Sequence, residues 1–177
     1  TIAAAGSEMS SSSVITNEDG NLKRGLNTDY SRCKFAVMNP TLTYTLPSYQ
    51  TMSGAVDIMM HTIERYFVAG SSMALTDEMA EALLRVVMAS ARTLKSKSDD
   101  YEARANLMWA SSLSHNGLTG CGHASRGDWA PHQLEHEMGG MFDVAHGAGL
   151  AAIWGSWARF VYKERADRFA RFGHRVL

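Results

Sequence analysis

The sequence has few of the features that mark several common protein classes. Its two cysteines, Cys33 and Cys121, are too few for a disulfide framework and form no C-x-x-C pair. With 17 Lys and Arg against 18 Asp and Glu, the formal charge is −1, so no basic surface for nucleic acid is expected. The uncharged stretch 147–158 is much shorter than the roughly 20 residues of a membrane-spanning helix. We therefore expect a cytoplasmic protein without nucleic-acid or membrane partners.

The composition is that of a folded chain, with 45% hydrophobic and 20% charged residues in a total of 177. The sequence begins with Thr1 rather than Met, and its last residues still have a helical pattern at Leu177. We expect an internal piece of a longer protein.

Two parts of the chain differ in their patterns. In residues 1–46, residues 13–16 and 22–24 flank the turn pair Asp19-Gly20, which predicts a β-hairpin, and residues 34–38 predict a buried strand. Residues 47–177 have helical periodicity. The predicted helices are 48–68, 76–94 with Thr76 as N-cap, 99–114, 131–141 ending near two glycines, 148–162, and one from 164 on. The sequence thus predicts a mainly α fold with a short β segment before it.

Acidic and histidine side chains recur at helical spacing. Asp57 and His61 are four residues apart, as are His132 and His136, so each pair shares one face of its helix. His146 follows shortly afterwards. Because Asp57 and His61 lie at the edge of an apolar stripe, the carboxylate needs a partner there. A divalent ion such as Fe²⁺ or Zn²⁺, bound by these two residues and two of the three later histidines, would supply one.

Other interpretations of these residues remain open. The zinc-protease motif H-E-x-x-H is excluded because His136-Glu137 is followed by Met138-Gly139-Gly140. Spacing and composition alone also fit a non-catalytic helical metal-binding module. His115 is expected to be structural or solvated, and the arginines from Arg159 to Arg175 are expected to be solvated.

Several stretches resemble the iron-containing (group III) alcohol dehydrogenases, especially their butanol dehydrogenase and aldehyde reductase branch. The matching stretches are residues 6–8 (GSE), 38–47 (MNPTLTYTLP), 54–64 (GAVDIMMHTIE), 129–137 (WAPHQLEHE) and the glycines and histidine at 139, 140 and 146. The resemblance implies a dehydroquinate synthase-like fold, with residues 1–46 as the last strands of an α/β nucleotide-binding domain and 47–177 as the helical metal-binding domain.

The resemblance also implies an activity and a set of site residues. The activity is interconversion of primary alcohols and aldehydes with NADP or NAD; a related enzyme such as a glycerol dehydrogenase is the alternative. The implied metal ligands are Asp57, His61, His132 and His146. His136 faces the site without holding the metal and is the candidate for the proton path.

The implied cofactor contacts are Thr1, Lys23 and Leu42. The Gly-Gly-Gly-Ser loop that holds the pyrophosphate in the family is not in this sequence, and Ala5 stands where many members have Thr. We therefore expect the isolated chain to bind a metal but to be inactive. Apolar faces left uncovered would favour a homodimer.

Overall fold

A two-stranded hairpin precedes six α-helices in the computed structural model, which describes residues 2–20, 22–70 and 73–177. Strand β1 (Ser12–Asn17) pairs antiparallel with β2 (Leu22–Asn27), with Ser12 opposite Asn27. The helices are α1 (Ser48–Tyr66), α2 (Ala74–Ser96), α3 (Tyr101–His115), α4 (Ala130–Phe142), α5 (His146–Val161) and α6 (Ala166–Arg175). The mainly helical architecture and the hairpin are confirmed.

Helix α1 is the centre of the molecule because α2, α3 and α5 all pack against it. Its apolar side chains enter two clusters. One cluster joins Tyr66 and Phe67 to α2, α5 and α6, and the other joins Ile58 to α2 and α3. Helix α4 packs on α5, and β2 packs on α4, so the hairpin lies against the α4 side of the bundle. None of the described helices has both the length and the apolar character needed to cross a membrane.

Two local predictions are wrong. Residues 34–38 form no strand, and Phe35 and Val37 are 84% and 87% exposed, because no described strand lies beside them to complete a ladder. Thr76 is not an N-cap: α2 begins at Ala74, and the buried Thr76 Oγ1 donates to the Cys121 carbonyl at 2.8 Å. Helix α4 includes both glycines and agrees with the predicted bounds 131–141 to within one residue at each end.

The expectation that the arginines of α6 are solvated is also wrong. The Arg168 guanidinium lies 3.7 Å from the Tyr66 ring centroid and donates to both carboxylate oxygens of Asp77, at 2.6 and 2.8 Å. Arg171 and Arg175 donate to Glu81, which is fully buried in α2. These ion pairs fasten α6 to α2.

Burial by itself would raise the pKa of Glu81, but hydrogen bonds from Arg171, Tyr66 and Arg175 outweigh it and lower the pKa. A carboxyl group with a lowered pKa in the folded state stabilises the fold above its unfolded pKa of about 4.3. That stabilisation is lost as the pH falls through the lower, folded-state pKa.

We predict that Glu81→Gln lowers the free energy of unfolding at pH 7 by about 1–3 kcal/mol, because it removes charge-assisted hydrogen bonds in a buried position. The difference from the unmodified chain should shrink below about pH 4. Urea unfolding followed by circular dichroism at pH 7 and pH 3.5 measures both. The matched control is Glu78→Gln, since Glu78 contacts Arg171 and Arg175 but its side chain is 50% exposed. A difference that stays constant with pH would contradict this account.

Candidate metal centre

Four of the predicted site residues come together where α1, α4 and α5 meet. Asp57 is 4% exposed, and its Oδ1 lies 3.0 Å from His61 Nδ1, one turn along α1. Helix α4 contributes His132 and the first residue of α5 is His146. Their Nε2 atoms lie 3.7 and 3.6 Å from Asp57 Oδ1. One carboxylate oxygen therefore faces imidazole nitrogens from three helices.

Two fully buried glutamates hold the imidazoles in this orientation. Glu64 of α1 binds His132 Nδ1, and Glu135 of α4 binds His146 Nδ1. A carboxylate accepts hydrogen bonds, so both Nδ1 atoms carry a hydrogen, and it is the Nε2 atoms of both rings that face Asp57. Carboxylates that bind the far nitrogen of a ligating histidine are the usual supports of metal sites.

The charges of the cluster compensate each other within a buried site. Burial would raise the pKa of Asp57, but the neighbouring His61 and His132 outweigh it and hold that pKa well below its ordinary value. Burial lowers the pKa of His132, yet its contacts with Asp57 and Glu64 raise it to about 9. Burial also lowers the pKa of His61.

The donor atoms fit a divalent transition-metal ion. Asp57 Oδ1 and His132 Nε2 are buried and lack a well-aligned hydrogen bond, which is costly unless another group pairs with them. Asp57, His132 and His146 each offer one ligand atom within 4.8 Å of the others. One carboxylate oxygen with imidazole nitrogens suits ions of the Fe²⁺ and Zn²⁺ type.

A cavity of about 750 Å³ opens onto this cluster. Trp129, immediately before α4, forms part of its wall and has a φ of 62°, a left-handed conformation that is uncommon for a bulky residue. Its indole ring lies 4.8 Å from the Arg65 guanidinium and 5.6 Å from the His61 ring. The backbone at Trp129 therefore places an aromatic wall beside the cluster.

His136, the predicted proton carrier, also lines this cavity. Its ring centroid lies 6.3 Å from that of His132 and 5.7 Å from that of His146. Burial, reinforced by the charges of Lys23 and His146, lowers the pKa of His136. A neutral imidazole beside the cluster can accept a proton.

The structure describes two of the three predicted cofactor residues. Lys23 lines the cavity, but its Nζ donates to Glu135 Oε2 at 3.2 Å. Leu42 is 59% exposed in a 3₁₀ turn and is not among the residues that line the cavity. Thr1 lies outside the described residues. Cofactor binding by all three stays a prediction.

Three residues of the centre were not predicted from the sequence. Glu64 and Glu135 each follow a histidine of the site by three residues, a spacing that places carboxylate and imidazole on neighbouring parts of one helix face. The spacing therefore indicates a paired carboxylate and imidazole, although the structure pairs each glutamate with a histidine of a different helix. His115 comes from α3 and contacts His61, with ring centroids 3.6 Å apart. No spacing in the sequence indicates that contact.

Glycines allow α5 to approach close enough to bring His146 to Asp57. A Cβ atom on Gly147 would lie 1.9 Å from the Ser53 carbonyl oxygen of α1. A Cβ on Gly149 would lie 2.8 Å from Glu135 Cγ. The first turn of α5 therefore has no room for side chains on these two sides.

We predict that Gly147→Ala destabilises the chain by about 2–4 kcal/mol, because backbone must move to relieve the overlap with Ser53. Gly155→Ala, in the middle of the same helix, is the control. There the Cβ meets nothing closer than an Arg159 guanidinium nitrogen at 3.6 Å, and alanine favours helix by up to about 1 kcal/mol. Urea unfolding measures the free energy of unfolding of both variants. Equal effects of the two substitutions would contradict the close approach of α5 to α1.

Comparison with known proteins shows the family of this chain. Residues 51–177 match the model of the Fe-containing alcohol dehydrogenase family, C-terminal, and the chain belongs to this family. It is 42% identical over 177 residues to NADH-dependent butanol dehydrogenase A of Clostridium acetobutylicum, covering 99% of this chain and 45% of that protein. It is 34% identical over 153 residues to the NADPH-dependent aldehyde reductase YqhD of Escherichia coli, covering 86% and 39%.

The solved structures give the same result for the fold. NADH-dependent butanol dehydrogenase A from Thermotoga maritima superposes with a TM-score of 0.97 at 40% identity, covering 100% of this chain and 44% of that one. The family resemblance and the fold class are thereby confirmed. The chain spans less than half the length of these relatives.

Proposed function

We propose that this chain is the metal-binding, catalytic part of an enzyme that interconverts primary alcohols and aldehydes with a nicotinamide cofactor. Residues 47–177 would form the catalytic domain, and residues 1–46 would belong to the nucleotide-binding domain. Support for the activity comes from relatives named as NADH-dependent butanol dehydrogenases and an NADPH-dependent aldehyde reductase.

The observation that carries the proposal is the convergence of buried ligand atoms that have no well-aligned hydrogen bond. Asp57 Oδ1 and His132 Nε2 are such atoms, and His146 Nε2 faces the same oxygen. We propose Asp57, His61, His132 and His146 as the ligands of one divalent ion, with iron favoured by the family description.

When bound, the ion would supply a Lewis acid for the substrate oxygen, and the nicotinamide would exchange the hydride. The residues of this chain would do the remaining work. Glu64 and Glu135 would orient the ligating imidazoles through their hydrogen bonds, and the Trp129 indole, which lines the cavity, would keep water from one side of it. Lys23 and Leu42 are proposed to contact the cofactor.

His136 would hold the proton that leaves the alcohol hydroxyl, and would return it during aldehyde reduction. Its position on the cavity wall and its lowered pKa support this, because a neutral ring nitrogen is the accepting form. We also propose that the protein acts in the cytoplasm as a homodimer. Exposed apolar side chains such as Phe142 and Phe160 are the kind of surface that association covers.

The enzymatic proposal is tested on the full-length gene product. With Fe²⁺ restored under anaerobic conditions, it should reduce butanal with NADH or NADPH, followed by the loss of nicotinamide absorbance. A chelator should abolish the rate and added Fe²⁺ should restore it. A metal-loaded, folded protein that reduces no aldehyde would instead support the non-catalytic metal-binding module.

Removing the charge of Asp57 tests the ligand set. We predict that Asp57→Asn weakens binding of the ion by about 100-fold or more, because an anionic ligand and its buried charge are lost together. Equilibrium dialysis followed by elemental analysis gives the metal content. Asp99→Asn, at an exposed position before α3, should leave it unchanged. Full occupancy in Asp57→Asn would rule out this ligand set.

His136 is separated from the ligands by a different substitution. His136→Ala should keep its ion but lose about 10²-fold or more in turnover, because the proton path is interrupted. Metal content and steady-state rates of the full-length gene product are measured on the same preparations. If the variant loses the ion instead, His136 is a ligand and its assignment to the proton path is wrong.

A further inference from the structure

His115 adds a fourth imidazole to the cluster, beyond the three in the proposed ligand set. It is the last residue of α3, and its ring packs against His61 with centroids 3.6 Å apart and an interplanar angle of 38°. It also lines the cavity that opens onto the cluster. Nothing in the proposed function uses it.

The hydrogen bonds of His115 define which nitrogen can bind a ligand. Nδ1 lies 2.9 Å from the Ser111 carbonyl oxygen and 2.7 Å from Ser114 Oγ. Since a carbonyl oxygen only accepts, Nδ1 carries the hydrogen and Nε2 keeps its lone pair. Nε2 is buried and has no hydrogen-bond partner, a costly arrangement that an ion or a water molecule would relieve.

The geometry around His115 repeats that of the first site. Asp57, His61 and His115 each offer a ligand atom within 4.8 Å of the others, as do Asp57, His132 and His146. The two trios share only Asp57. A carboxylate has two oxygens, and sites that hold two ions about 3.5–4 Å apart are well known.

Positive charge makes the second trio the weaker one. The Arg65 guanidinium lies beside it, donating to the His61 carbonyl at 2.8 Å and to the Ser114 carbonyl at 2.5 Å. Glu64 and Glu135, which add negative charge, bind the histidines of the first trio. Two divalent ions that share one carboxylate also repel each other.

We propose that Asp57, His61 and His115 form a second, weaker position for a divalent transition-metal ion, bridged to the first by Asp57. The inference rests on the proposed four-ligand site. One ion takes His61 together with Asp57, His132 and His146 at low metal concentration. At higher concentration His61 passes to the second ion, which His115 completes.

Cobalt(II) is the probe, because its visible absorption reports the ligands around the ion. Titration of the unmodified chain, by calorimetry and absorbance, should show one tight step and a second step about 100-fold or more weaker. His115→Ala should lose the second step and keep the first within about threefold. His174→Ala removes an exposed histidine of α6 and should retain both steps.

Saturation of the unmodified chain at one Co²⁺, or a second step retained in His115→Ala, would overturn the inference while leaving the first site intact. Absence of any Co²⁺ binding would overturn the four-ligand site and this inference with it. Should His115→Ala fail to fold, crystals of the unmodified chain soaked in Co²⁺ decide. An anomalous peak about 2.1 Å from His115 Nε2 supports the second position. Its absence at saturating Co²⁺ refutes it.

Discussion

The arrangement of the centre depends on two carboxylates that have no access to solvent. Glu64 and Glu135 are 0% exposed, and each binds the Nδ1 atom of a histidine on another helical segment. Burying a charged group is expensive unless it is paired and hydrogen-bonded, so these contacts fix how α1, α4 and α5 meet. Because each glutamate binds the nitrogen on the far side of an imidazole, the contacts that hold the helices together also orient the ligand atoms.

Much of this fold could be predicted from local patterns, because helical periodicity and the turn pair Asp19-Gly20 reflect the chain's own conformational preferences. The predictions are wrong where contacts with another segment of the chain determine the local structure. Residues 34–38 are apolar enough for a strand but have no strand beside them among the described residues. Thr76 has the chemistry of a cap, yet its hydroxyl donates to the carbonyl of a distant loop. Tertiary contacts of this kind leave no periodic signal.

The candidate site likewise combines contacts that local spacing predicts with contacts that depend on tertiary packing. Asp57 and His61 share a helix face, so their pairing follows from spacing, and the gathering of His132 and His146 around them was expected from the family resemblance. The stacking of His115 on His61 joins α3 to α1 and follows only from the packing of the bundle. The contacts of the α6 arginines also depend on packing between helices. A charged residue on a short helix looks solvated until Asp77 and Glu81 of another helix are placed against it.

The hairpin is exposed over most of its length, but one of its side chains reaches the centre. Lys23 Nζ and His146 Nδ1 meet the same oxygen of Glu135. Side chains alternate between the two faces of a strand, so a slip of one residue in the pairing of β1 with β2 would turn Lys23 away from α4. Glu135 would then be buried with one donor fewer. The register of β1 against β2 is thus coupled to a carboxylate outside the sheet. A change in the length of the turn at Asp19-Gly20 would alter the donors around Glu135, and through Glu135 the support of His146.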